Sequence, residues 1–185
     1  MKKRLNMFFV LAAAAAFSGC SRGAAGNEKR GISMDNKSAV FSLSSDSFQD
    51  NSVMPSEFTC DGKHTRPALR WANVPAGTKS LALVVRDPDA PSGDFLHWAV
   101  VDIPPGIGGF ARGSLPPAPA RELANDAGTT GYFGPCPPSG THRYVFTLYA
   151  LNAESYAGGQ ARLEDYLEAN ALGKAVLTGL YKRKK

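Results

Sequence analysis

The chain has 185 residues and a formal net charge of +5 at pH 7, and 43% of its residues are hydrophobic. This length is enough for one domain with its own hydrophobic core. Lys2, Lys3 and Arg4 carry three of the five net charges, so the remainder of the chain is near +2. Such a small surplus is weak evidence for a polyanionic partner.

The first 19 residues have the pattern of an export signal. A basic start is followed by an apolar, alanine-rich stretch from Met7 to Phe17. This stretch is too short to cross a bilayer, which takes about 20 apolar residues. A basic start, a short apolar centre and small residues at the end are typical of a cleavable signal peptide. The alternative interpretation is a buried N-terminal helix, which this pattern does not favour.

The signal ends in a run that resembles the lipobox of bacterial lipoproteins, Phe17-Ser18-Gly19-Cys20. Phe17 stands where the usual residue is Leu. The resemblance implies that Cys20 receives a diacylglycerol, becomes the first residue after cleavage and anchors the protein in a membrane, since two or more acyl chains hold firmly. Ser21 then favours the outer membrane, facing the periplasm. We expect no nucleic-acid partner for such an exported protein.

Residues 20–38 and 39–185 differ in composition. The first range is mostly small, polar or charged after Cys20 and suits a flexible tether, so the domain is predicted to start near Ala39. Short apolar runs separated by Gly, Pro, Asn and Asp predict strands in that domain. They are Ala39–Leu43, Ala68–Trp71, Ser80–Arg86, Leu96–Ile103 and His142–Leu151. The nearly continuous apolar run Ser80–Arg86 predicts a central strand that is buried on both faces.

Residues 104–141 hold most of the proline and glycine and are predicted to form one long loop across an end of the sheets. Only the C-terminal part has a helical pattern. Its apolar stripe consists of Leu163, Tyr166, Leu167 and Ala171. Asn170 and Gly173 indicate a break or cap, and a short closing strand is predicted around Leu180–Lys182. The sequence therefore predicts a mainly β domain, a β-sandwich with a long Pro/Gly-rich loop and a peripheral C-terminal helix.

Two proline-rich segments precede or follow predicted core strands. The first is Asp87-Pro88-Asp89-Ala90-Pro91, followed shortly by His97-Trp98. The second is Gly134-Pro135-Cys136-Pro137-Pro138-Ser139-Gly140, followed by His142-Arg143-Tyr144. Proline fixes φ, so such loops hold a shape at low entropic cost. A rigid rim with a few polar groups on an apolar floor is typical of a small-ligand site.

These two segments resemble the signature regions of the phosphatidylethanolamine-binding protein (PEBP) family, in its bacterial Raf-kinase-inhibitor-like branch. Cys60-Asp61-Gly62, the run Val74–Leu81 and the segment from Asn125-Asp126 through Gly131-Tyr132 also fit that branch, and the resemblance covers roughly residues 39–183. It implies a PEBP-like sandwich with a small anion-binding pocket. Carried over by motif, the pocket residues are Asp87, Pro88, Asp89, His97, Gly134, Pro135, His142 and Tyr144.

The resemblance also implies roles for these side chains. Two imidazoles, a tyrosine hydroxyl and backbone N–H groups can donate to phosphate, sulfate or carboxylate oxygens, and such charge-assisted bonds are strong. The aspartates are expected to orient His97 and His142 and to raise their pKa. Trp98 is expected in the core, and Arg143 in a salt bridge with Asp89 or Asp87. Phe95-Leu96 departs from the family pattern. The chain ends soon after Tyr181, without the C-terminal helix of eukaryotic members, so a more open pocket mouth is expected.

Cys60 and Cys136 remain as an even pair once Cys20 is assigned to lipidation. In an oxidising compartment a disulfide between them is the simple hypothesis. Two buried thiols near the same pocket wall are the alternative, because relatives resemble this chain at both positions even in cytosolic proteins. The sequence leaves both interpretations open.

The favoured function is non-catalytic binding of a small anionic ligand or lipid headgroup at the cell envelope, with no cofactor. A metal site is disfavoured because the aspartates and histidines lack a tight ligand spacing. A hydrolase is disfavoured because Ser92, Ser114 and Ser139 do not lie in a Gly-x-Ser-x-Gly turn. The alternative function is inhibition of an extracytoplasmic peptidase. A homodimer is plausible, and the basic tail Lys182–Lys185 is either a solvated end or a contact for anionic lipids.

Overall fold

The computed structural model describes residues 39–184. The predicted signal peptide, the lipidation of Cys20 and the tether over residues 20–38 all lie outside these residues. Within them, the strands form one sheet of six strands and one of three, with a hydrophobic core between the sheets. This architecture confirms the predicted mainly β fold class.

The strands of the described part have the following bounds: β1 Ser42–Ser44, β2 Ser52–Val53, β3 Leu69–Ala72, β4 Ser80–Asp87, β5 Phe95–Ile103, β6 Gly109–Phe110, β7 Arg121–Glu122, β8 His142–Leu151 and β9 Ala171–Tyr181. The large sheet has the order β2-β9-β8-β4-β5-β7, and the small sheet has the order β1-β3-β6. Neighbouring strands are antiparallel except for β2 and β9, which are parallel. A 3₁₀ turn covers Ser56–Phe58.

Strand β4 is buried on both faces, as its apolar run predicts. Leu81, Leu83 and Val85 point into the core between the two sheets, together with residues of β5 and β8. Ala82 and Val84 point to the other face of the large sheet, where Leu163 and Leu167 cover them. The alternation of side chains along a strand produces this two-sided burial because successive residues face opposite sides.

The helical part is shorter than its apolar stripe predicts. Helix α1 spans Leu163–Asn170, after a 3₁₀ turn over Gln160–Arg162. The inclusion of Ala171 in the helix is wrong, because its extended backbone begins β9 and pairs with Leu151. Gly173 lies inside β9 rather than in a cap. The strand predicted around Leu180–Lys182 is in fact eleven residues long, since β9 pairs along the whole length of β8.

Two other predictions need correction. The first strand is Ser42–Ser44 rather than Ala39–Leu43. Residues 104–141 contain the two short strands β6 and β7, which extend the small and the large sheet respectively. No helix in residues 39–184 is both long enough and apolar enough to cross a membrane.

Candidate functional site

The topology brings the two proline-rich segments to one end of the large sheet. Strand β4 ends at Asp87 between β5, which begins at Phe95, and β8, which begins at His142. Because these neighbours are antiparallel, the end of β4 lies beside the starts of the other two. Asp87, His97 and His142 line a cavity of about 350 Å³ at this end.

Asp87 and His142 form a buried pair on the cavity wall. The Asp87 Oδ2 atom lies 2.8 Å from His142 Nδ1, and Asp87 Oδ1 accepts a hydrogen bond of 2.9 Å from the Asp89 N–H. Because an ionised carboxylate only accepts, His142 Nδ1–H is the donor and this contact sets the tautomer. The Nε2 atom of His142 makes no hydrogen bond within residues 39–184.

His97 is held by a reciprocal pair of hydrogen bonds. Its Nδ1–H donates to the Phe133 carbonyl at 2.7 Å, and the Phe133 N–H donates to the His97 carbonyl at 2.9 Å. The imidazole stacks on the Phe133 ring with a centroid distance of 5.7 Å. Burial lowers the pKa of His97, and the nearby carboxylates of Asp87 and Asp126 oppose this effect without overcoming it. The aspartates thus act in the expected direction, but burial outweighs them, so the expected net rise in the pKa does not occur for His97.

Tyr144 lies beneath the cavity rather than in its wall. Its ring packs edge-on against His97 at a centroid distance of 5.1 Å, and the side chain is fully buried. The hydroxyl has no hydrogen-bond partner in the described part of the chain, although Asp87 is close enough to help burial raise the pKa of Tyr144. A buried hydroxyl without a partner costs roughly 1–3 kcal/mol. Tyr144 therefore carries a buried donor without an acceptor in residues 39–184, and its ring packs against His97, which lines the cavity.

Asp89 and Pro88 do not line the cavity. The Asp89 carboxylate instead binds Arg143, at 2.9 Å to Nε and 2.7 Å to a terminal nitrogen, and also accepts from the Arg143 N–H. These bonds lower the pKa of Asp89 to about 2. The salt bridge predicted for Arg143 is present with Asp89, and it ties the start of β8 to the turn that follows β4.

Gly134 and Pro135 attach the second proline-rich loop to the segment after the 3₁₀ turn, and neither lines the cavity. The Gly134 N–H donates to His64 Nδ1 at 3.1 Å, and the Pro135 carbonyl accepts from the Cys60 N–H at 3.0 Å. A Cβ at position 134 would lie 2.6 Å from the Phe58 carbonyl oxygen, so the close approach requires glycine. These residues hold the cavity wall in place.

Cys60 and Cys136 are joined by a disulfide, with their Cα atoms 5.3 Å apart. The structure thus decides between the two interpretations that the sequence leaves open. Because Cys136 lines the cavity, the cross-link fixes one wall directly. The disulfide and the hydrogen bonds of Gly134 and Pro135 therefore constrain the same short segment, residues 134–136.

Two aromatic walls of the cavity were not predicted from the sequence. Phe95 and Phe133 line the cavity, and their rings lie 6.2 Å apart between centroids. Strand alternation could have found Phe95, because it shares a face of β5 with His97 while Leu96 points into the core on the other side. Phe133 lies in an irregular loop, where no periodic pattern indicates which way a side chain points.

The remaining wall and rim residues are mostly small or apolar: Ala90, Pro91, Ser92, Ala127, Pro137 and Pro138. No lysine or arginine is among the lining residues in the described part of the chain. Trp98, expected in the core, is buried there and donates its indole N–H to Glu122 at 2.7 Å. Within residues 39–184, no three His, Cys, Asp or Glu side chains are grouped so that they could hold a metal ion.

Comparison with known proteins gives a consistent family match. The phosphatidylethanolamine-binding protein family matches residues 44–182. A UPF0098 protein of Methanothermobacter thermautotrophicus is 46% identical over 149 residues, which are 76% of this chain and 98% of the relative. A Mycobacterium tuberculosis protein named as lipoprotein LppC is 43% identical over 145 residues, which are 75% of this chain and 71% of the relative.

Solved structures show the same fold. The crystal structure of Escherichia coli YbcL, described as a member of the mammalian PEBP family, superposes with a TM-score of 0.74 at 33% identity. The match covers 79% of this chain and 100% of YbcL. The PEBP homologue CT736 of Chlamydia trachomatis gives a TM-score of 0.72 at 33% identity, covering 78% of this chain and 98% of that protein.

Proposed function

The chain belongs to the phosphatidylethanolamine-binding protein family, and we propose that it binds a small anionic ligand in the cavity without catalysing a reaction on it. The observation that carries the proposal is the convergence of His97 and His142 on one cavity, each with Nδ1 engaged by the protein. Each ring therefore has its Nε2 atom left for a ligand. The hydroxyl of Tyr144, whose ring packs against His97, is part of the proposal as a further donor.

The ligand class follows from the chemistry of these groups. A protonated imidazole donates a charge-assisted hydrogen bond, which suits a phosphate-type or carboxylate-type oxygen. Asp87 accepts a hydrogen bond from Nδ1–H of His142 and so holds the ring in one orientation, with Nε2 left as the donor to an anion. For His97, burial disfavours the charged form until an anion arrives to compensate it. Anion binding should then be coupled to proton uptake, so affinity should rise as the pH falls below neutrality.

The contacts of the serines in the described residues favour binding over catalysis. Within residues 39–184, no serine hydroxyl hydrogen-bonds to a histidine, which is the contact that acyl-transfer enzymes use. Ser92 is the serine that lines the cavity, and it lies on the exposed rim. The cavity walls are two phenylalanines and three prolines, a composition that suits ligand enclosure.

We place this activity at the cell envelope. The basis is the predicted signal peptide over residues 1–19, the lipobox-like run that ends at Cys20, and the 43% identity to a relative named as a lipoprotein. Acyl chains on Cys20 would anchor the domain to a membrane. Ser21 after the cysteine favours the outer membrane, with the domain in the periplasm.

The proposal is tested by ¹⁵N NMR titration of the 39–185 domain with acetate, inorganic phosphate and phosphorylethanolamine at several pH values between about 5 and 8. The 39–185 domain is a suitable sample because this chain matches 98% and 100% of the lengths of the two solved relatives. We expect shifts at His97, His142 and the loop of residues 133–138, with tighter binding at low pH. His142→Gln should weaken binding roughly tenfold or more through loss of a charge-assisted bond.

His64→Asn is the matched control, because His64 does not line the cavity and the asparagine Oδ1, which matches the position of Nδ1, can still accept from the Gly134 N–H. This variant should keep both the affinity and its pH dependence. If none of the three anions shifts the cavity residues at any pH, the ligand-binding proposal fails. A protein partner, such as an extracytoplasmic peptidase, would then be the next hypothesis to test.

A further inference from the structure

The register of the large sheet sends the C-terminal tail to the cavity. Tyr181, the last residue of β9, pairs with His142, the first residue of β8. The next residues, Lys182, Arg183 and Lys184, therefore leave the sheet beside the cavity wall. Antiparallel pairing along the whole of β8 determines this position, because the end of one strand must lie at the start of its partner.

The tail and the second proline-rich loop border a concave space with a volume of about 1030 Å³. Its lining residues are Pro138, Ser139, Gly140, Lys182, Arg183 and Lys184. Pro138 also lines the ligand cavity, so the two concavities share a wall. We call the six residues the basic rim. All six residues are exposed to solvent.

The charges of the basic rim are only partly neutralised by the protein. Asp61 binds Arg183 at 3.0 Å and accepts a hydrogen bond of 2.8 Å from the Tyr181 hydroxyl. These bonds lower the pKa of Asp61, which therefore stays ionised. Lys182 and Lys184 make no ion pair with any residue in the range 39–184. Two ammonium groups thus face solvent next to a cavity that contains no lysine or arginine of its own.

We propose that the basic rim docks on an anionic phospholipid surface and holds the mouth of the cavity against the headgroups. We choose an anionic partner because of charge complementarity, since two lysines without an ion pair in the described residues line the same concave space as the loop of residues 138–140. Each basic residue near an anionic membrane contributes about 1 kcal/mol, and the attraction decays within a Debye length. The isolated contact is therefore weak, and its effect is to orient a domain that is already near a membrane.

The experiment is an NMR titration of the 39–185 domain with bicelles of phosphatidylcholine alone and with bicelles containing roughly one-third phosphatidylglycerol. NMR is suitable because it detects weak contacts residue by residue. We expect shifts or broadening at residues 138–140 and 182–184 with the anionic bicelles only, and their loss in high salt. Lys182→Gln/Lys184→Gln should weaken the contact roughly thirtyfold.

The matched control is Lys79→Gln/Lys174→Gln, which removes the same charge away from the basic rim. Lys79 precedes Ser80, which pairs with Leu151 at the opposite end of the sheet. This control should retain binding. The proposal is overturned if both double variants lose binding equally, if the anionic bicelles shift other residues or none, or if inorganic phosphate shifts the basic rim while the bicelles do not.

The bicelle experiment tests the membrane contact independently of ligand binding in the cavity. His142→Gln should leave the bicelle contact intact, because His142 does not line the concave space. Conversely, the two lysine substitutions lie beyond β9 and should leave the spectrum of the core unchanged. Failure of one proposal therefore does not entail failure of the other.

Discussion

Removal of the Cys60–Cys136 disulfide should cost a large part of the stability of the domain. The two cysteines are separated by 76 residues along the chain. In the chain-entropy model, releasing a loop of that length from the unfolded state lowers the free energy of unfolding by about 4.5 kcal/mol. Typical domains are stable by only about 5–15 kcal/mol, so the change should be large and easy to measure.

The assay compares urea unfolding of the 39–185 domain in three forms: oxidised, reduced, and with Cys60→Ala/Cys136→Ala. The reduced form and the alanine variant should have similar stabilities if the cross-link itself, rather than thiol packing, accounts for the loss. Because Cys20 lies outside this domain, the third cysteine of the chain does not interfere. Thiol titration in denaturant should detect no free thiol before reduction.

The same change should weaken anion binding, because Cys136 lines the cavity and the cross-link holds its wall to the segment around Cys60. A stability loss below about 1 kcal/mol would refute the reasoning from loop closure. Free thiols in the unreduced domain would refute the disulfide itself. Unchanged binding after a large stability loss would show that the remaining loop contacts, such as Gly134 with His64, position the wall without the cross-link.

Two further predictions concern single polar groups. The pKa of Asp89 is lowered to about 2 from 3.8 by Arg143, so the stability it contributes is present above about pH 4 and is lost as the pH falls towards 2. Solvent screening keeps this contribution below about 1 kcal/mol. The free energy of unfolding of Asp89→Asn, measured in urea, should therefore be lower than that of the parent near neutrality and approach it near pH 2. A difference in unfolding free energy that does not depend on pH would contradict this coupling to protonation. Tyr144→Phe removes a buried hydroxyl that has no partner in the described residues, so stability should stay equal or rise by about 1 kcal/mol while anion affinity falls. A clear loss of stability in this variant would show that the hydroxyl has a partner in the native protein.

Local patterns in the sequence determined the main strands. Ser80–Arg86 and Leu96–Ile103 are nearly continuous apolar runs, and in the structure they form the centre of the large sheet with both faces buried. Apolar runs of this kind need no distant information, because burial on both faces demands apolar residues at every position. The motif positions Asp87, His97 and His142 could likewise be chosen from the sequence, and all three line the cavity.

Which of the other motif residues reach the cavity was decided by tertiary structure. Asp89 pairs with Arg143, and Gly134 packs on the Phe58 carbonyl, so both support the site from outside it. Phe133 lies in the cavity wall because its backbone N–H and carbonyl form hydrogen bonds with His97, which is distant in sequence. These are contacts between residues far apart in sequence, and no local period specifies them.

The end of the chain shows the same division most clearly. The sequence by itself determined that residues 182–184 are basic and predicted a short strand around Leu180–Lys182. Only the pairing of β9 with β8 placed these charges beside His142 and turned a predicted short strand into one of eleven residues. The physical reason is that the register of a strand depends on hydrogen bonds to its partner strand, which the sequence does not show. Ala171 therefore adopts an extended backbone and pairs with Leu151, although its position in the apolar stripe predicts a helix.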